Sequence, residues 1–109
     1  MTEQQKIVFN RSLYNVREAI LRPRTIDAAL ISMGMNITGP IMRITEDYPN
    51  MEESIKWNNY VYPVLKRAAE AIMRTKASVE NDEVAWKAEL EKFIVPIEDY
   101  ASWYKERNP

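Results

Sequence analysis

The sequence predicts an all-α fold: a compact, irregular bundle of about four helices with proline kinks and a long C-terminal amphipathic helix, formed as one domain over residues 1–109. Three observations carry that expectation. Glycine occurs only at positions 34 and 39, too sparsely for the tight turns of a β-sandwich or barrel. Apolar residues recur at steps of three and four along most of the chain, the period of one helical face. A composition 46% hydrophobic and 28% charged suits a packed core, not a disordered polymer.

At the N-terminus, Thr2-x-x-Gln5 has the spacing of a capping box, which satisfies two orphan N–H groups at a helix start. Phe9, Leu13, Val16 and Ile20 then share one face, broadened by Ile7, Tyr14 and Leu21, and Pro23 ends the helix near Arg22. Thr25 is placed to cap a second helix from Ile26, with Asp27 in its positive first turn. Ile26, Ala29, Leu30, Met33 and Ile37 supply its apolar side. Gly34 weakens it, and Thr38-Gly39-Pro40 is expected to stop or kink it. Ile41, Met42 and Ile44 would then form a short helical turn before Tyr48-Pro49.

Asn50 offers the next N-cap, with Glu52 and Glu53 in the first turn. The core face of this third helix reads Trp57, Val61, Val64, Ala68 and Ala71, with Ile55, Leu65 and Ile72 close by. Pro63 falls inside the pattern without breaking its period, so one kinked helix is expected in place of two. Residues 74–82 read as a turn. The last helix starts near Asn81 or Asp82 and carries Trp86, Leu90, Phe93, Ile97, Tyr100 and Tyr104 at alternating steps of four and three. That is a heptad-type seam, four of its six members aromatic, with Pro96 expected to bend it.

The chain has no Cys and no His. Thiol nucleophiles, His-dependent triads, imidazole or thiolate metal sites and disulfides are therefore excluded. Glu80, Asp82 and Glu83 cluster at a helix start, and Glu89, Glu91 and Glu98-Asp99 read as solvated outer faces. No loop has EF-hand spacing, and two glycines cannot write a phosphate cradle. The expectation is a non-enzyme with no catalytic residues, no metal and no cofactor. The polar N-terminus lacks a signal-peptide core and no apolar run could span a bilayer, so a soluble cytoplasmic protein is expected, without membrane association. Residues 1–45 carry six bases against three acids, yet the chain as a whole has net charge −1. A near-neutral chain of pI about 5.5 argues against a nucleic-acid partner.

Three features rise above this background. Arg22-Pro23-Arg24, with Arg17 upstream, could grip a carboxylate or phosphate bidentately, although cations at a helix end also simply complement its dipole. Trp57, Asn58, Asn59, Tyr60 and Tyr62 combine amides with aromatic rings that could stack a planar ligand, or merely flank a bent helix. Tyr100, Trp103 and Tyr104 close the aromatic seam beyond Pro96, where they could outrun the domain and anchor an interface, or all be buried. The composite is that of a stoichiometric helical binder of a protein partner, of inhibitor or adaptor type, a profile shared with phage and mobile-element proteins. Homo-oligomerisation through the aromatic C-terminal helix belongs to this reading. The alternative is a binder of a small phosphorylated or nucleotide ligand through the Arg and Tyr/Trp side chains.

Overall fold

Helix starts are set by side-chain caps at three of the four places where the chain enters a long helical path. Thr2 Oγ1 accepts the Gln5 N–H (3.1 Å) while Gln5 Oε1 accepts the Thr2 N–H (2.9 Å), closing the expected capping box. Thr25 Oγ1 accepts from Ala28 N–H (3.2 Å) and Asp82 Oδ1 from Ala85 N–H (3.1 Å). The third entry departs from expectation: the cap position is Met51, not Asn50, and no side chain caps it. The computed structural model describes all of Met1–Pro109, and its regular structure is entirely helical.

The first path divides into α1 (Glu3–Tyr14) and α2 (Val16–Leu21), in place of the one helix expected. Asn15 leaves helical geometry between them (φ −114°, ψ 42°). Asn gives up a helix readily because its amide competes for local backbone partners. The second path is α3 (Ile26–Met33), a π turn (Gly34–Thr38) and α4 (Gly39–Asp47), and the third is α5 (Glu52–Lys56), a π turn (Trp57–Val61) and α6 (Tyr62–Val79). Helical structure runs to Val79, so the turn expected over 74–82 shrinks to its last three residues. The final helix, α7 (Glu83–Arg107), passes through Pro96 as one 25-residue element.

The two π turns share one cause. Each ends immediately before a residue–proline pair, Gly39-Pro40 and Tyr62-Pro63. Proline has no N–H to give the fourth residue back, and its ring crowds that carbonyl. Widening the preceding turn resolves the clash: Gly39 N–H bonds to Gly34 O and Tyr62 N–H to Trp57 O, each five residues back. The breaker expected to stop the second helix is thus absorbed within it. Widening also has a cost in register. One extra residue in a turn rotates everything downstream by about 100°, so the buried face of α6 is Leu65 and Ile72, and Val64, Ala68 and Ala71 are only half-buried.

Short turns fold these paths into two antiparallel hairpins. In the first, α2 packs on α3 and α1 on α4; in the second, α6 packs on α7. α7 then joins them by packing on α1 and α2 as well. Ion pairs and hydrogen bonds tie the ends: Lys76 Nζ to Asp27 Oδ1 (2.6 Å), Gln5 Nε2 to Asp47 Oδ2 (3.2 Å) and Arg107 to Glu52. One apolar cluster runs through both hairpins, with Phe9, Ile20, Ile41, Trp57, Ile72, Trp86 and Phe93 fully buried. Each such side chain contributes about 1.5–3 kcal/mol of transfer free energy. The molecule measures 42 × 23 × 21 Å, and no helix is long and apolar enough to cross a membrane.

Candidate functional site

Of the two placements left open for the C-terminal candidates, the structure takes burial for Tyr100 and Tyr104 and leaves Trp103 at the rim. Tyr100 is 1% exposed and Tyr104 6%, so neither ring outruns the domain. They sit at the junction of the hairpins, Tyr104 against Phe9 (4.8 Å between ring centres) and Tyr100 edge-on to Trp57 (5.1 Å, 80°). Tyr100 Oη donates to the Glu53 carbonyl at 2.8 Å. Burial pushes both phenols above their ordinary pKa, with the nearby Glu53 charge adding to it. Trp103 alone stays half-exposed, and its ring is engaged within the chain: Lys56 Nζ lies 4.9 Å and the Arg107 guanidinium 5.1 Å from its centre.

The arginine and aromatic candidates do not converge. Arg17 bridges to α7, pairing with Glu91 and Glu98 at 2.9 Å each. Hydrogen bonds from Arg17 to those carboxylates, Glu98 first, raise its pKa. Arg24 is exposed, and its charge assists Lys87, whose hydrogen bond is the larger cause, in holding the Glu83 carboxyl below the ordinary carboxylate range. Trp57 is fully buried and its Nε1 has no protein partner. Asn58, Asn59 and Tyr60 are exposed, Tyr60 lying under Lys56 (5.4 Å), and Tyr62 packs half-buried against the core. None of these five lines the cleft that holds Arg22 or the one that holds Arg17.

Arg22 has a different set of neighbours. It lines a cleft of about 640 Å³ between α1–α2 and the α3–α4 path, together with Arg11, Asn15 and Glu18 on one wall and Ser32, Met35, Asn36 and Pro40 on the other. Val8, Ala19 and Ile37 add apolar surface. Neither Arg11 nor Arg22 forms an ion pair or a side-chain hydrogen bond with the chain. Asn36 Nδ2 donates to Ser32 Oγ (3.1 Å) and Ser12 Oγ to the Val8 carbonyl (2.8 Å), and the Asn36 amide oxygen keeps its capacity to accept. Met35 is 72% exposed, and Ile31, one turn before it, 60%. Chemically the cleft offers two free guanidinium groups, amides and an apolar lip. It can hold an anion and an apolar side chain; it contains no paired nucleophile and base.

Sequence reasoning does not single out Arg11 or Met35, although the signal for Arg11 is there. On one continuous helix positions 11 and 22 would be three turns apart on a shared face, with 17 and 22 about 140° apart, although Asn15 breaks that register. Comparison with protein-family models, with curated proteins and with solved structures finds no match to this chain.

Proposed function

We propose that the chain is a non-enzymatic, stoichiometric binder of a protein partner, an inhibitor or adaptor acting in the cytoplasm, and that it seats part of that partner in the cleft between α1–α2 and α3–α4. The observation that carries this reading is the cleft's apolar lip: Met35, 72% exposed, stands at the edge of a concave surface of about 640 Å³. A large apolar side chain left exposed at the mouth of a cavity suits an interaction site, whereas one on a flat surface is ordinary. The reading moves the interface away from the C-terminal aromatic end, whose rings are occupied in holding the hairpins together.

The test is affinity capture from cells with the tagged chain and its Met35→Asp variant, read by mass spectrometry and by the stoichiometry of the complex. The wild-type chain should retain one partner at a fixed ratio and Met35→Asp should lose it, with circular dichroism unchanged. Equal retention by the variant, or loss on Trp103→Ala instead, would refute this placement.

A second reading is favoured by one observation, the two guanidinium groups left unpaired in the same cleft. It is that the cleft holds a small phosphorylated or nucleotide ligand. Nucleotides and cyclic dinucleotides should then raise the melting temperature in proportion to the logarithm of their concentration, and Arg22→Gln should abolish the rise.

A further inference from the structure

Resting on the cleft as the binding surface, we infer that its occupant is an acidic amphipathic segment of the partner, with carboxylates that meet Arg11 and Arg22. Arg11 lies in the last turn of α1 and Arg22 at the end of α2, and both line the same wall of the cleft. Two cationic anchors on one wall select a ligand that carries two negative charges. Bidentate pairing then fixes its orientation. Arg17 is satisfied by Glu91 and Glu98, Lys76 by Asp27 and Arg107 by Glu52, whereas of the bases without an ion pair Arg11 and Arg22 are the two that line this cleft. Arg11 and Arg22 have no such partner, and residues 1–45 as a whole carry an excess of positive charge.

The remaining lining refines the occupant. Glu18 lies on the same wall between the arginines and repels an acid at the middle of the segment. Met35 and Pro40 on the facing wall receive apolar side chains. The fitting pattern is therefore acid, apolar stretch, acid.

The experiment is panning of a display library of random peptides, each about sixteen residues and so about 24 Å long when helical, against the full chain. Enriched peptides should share two acidic positions flanking apolar residues. They should bind the Arg11→Glu, Arg22→Glu double variant at least tenfold more weakly. Panning against that double variant should enrich Lys or Arg at the same two positions. Both arginines are exposed and unpaired, so the double variant keeps its fold, as circular dichroism checks. Peptides that need Met35 yet lack acids, or bind both chains equally, overturn the acidic occupant and leave the cleft reading standing. No enrichment, or peptides indifferent to Met35→Asp, overturns the cleft reading as well. Thermal stabilisation by inorganic phosphate that Arg22→Gln removes, without peptide enrichment, overturns the acidic segment in favour of a small anion.

Discussion

Tyr100 is held from several directions. Trp57 meets its ring edge-on at 5.1 Å, Trp103 lies 5.6 Å and Phe9 6.2 Å away, and its hydroxyl donates to the Glu53 carbonyl. Burial raises its pKa well above the ordinary value of 10.0. The consequence for stability has a definite sign. Below pH 10 both folded and unfolded chains hold the proton, and its contribution is fully present; above pH 10 the unfolded chain releases it while the folded chain keeps it, so stability falls. For this one proton the slope is about 1.4 kcal/mol per pH unit. Urea unfolding at pH 7 and at pH 11 should show the decline, and Tyr100→Phe should make it shallower, leaving the part due to the Tyr104 phenol, whose pKa burial also raises. The same variant should cost about 1 kcal/mol at neutral pH through the lost hydrogen bond. An equally steep alkaline decline in Tyr100→Phe would place its origin elsewhere. That Tyr100 lies on the seam was legible from its spacing to Ile97 and Tyr104. That three other helical segments close over it was not, because contact partners distant in sequence leave no periodic trace.

The two π turns show why a proline can be predicted and its effect misjudged. Pro63 is expected to kink a continuous helix, and the helix does continue. The rotation of its core face from Val64 to Leu65 depends on a single bond to the residue five back, which no wheel drawn at 3.6 residues per turn contains. The glycines separate the same point into two opposite expectations. At Gly34 an added Cβ meets nothing within 4 Å, and the backbone is ordinary right-handed helix. Gly34→Ala should therefore stabilise by about 0.5–1 kcal/mol, since a helical glycine surrenders more entropy than alanine. At Gly39 the same atom would sit 2.7 Å from the Gly34 carbonyl oxygen, the acceptor of the π-turn bond. Gly39→Ala should destabilise by about 1–3 kcal/mol, the usual cost of overpacking. Chemical denaturation of both variants measures the contrast; shifts of the same sign would mean the close approach is not what requires glycine at 39.

Arg17 joins the first hairpin to the second by reaching from α2 to Glu91 and Glu98, which are seven residues apart and so on one face of α7. All three groups are substantially solvent-exposed, so screening limits what the bridge contributes. Arg17→Met should lower the melting temperature far less than Phe9→Ala, which opens a cavity at the hairpin junction and should cost about 3–5 kcal/mol. The Arg17 loss should also disappear near 1 M salt, where the screening length is about 3 Å. A salt-independent loss, measured by calorimetry, would assign the effect to packing of the arginine stem. The cleft arises from the same assembly. Its walls come from α1–α2 and α3–α4, and Met35 faces Arg11 only because the chain doubles back between them.

Local pattern and elementary chemistry, both present in the sequence by itself, determined the all-α class, three helix caps, the hydrophobic faces of most helices, and the loss of every Cys- or His-dependent reaction. Each depends on side-chain type and spacing within a few turns. The tertiary structure decided which faces meet. It buried Tyr100 and Tyr104 at the hairpin junction, gave Arg17 two carboxylates, and left Arg11, Arg22 and Met35 around one cleft. Periodicity marks the apolar side of a helix, but the burial of that side depends on what another helix, many residues away, brings against it.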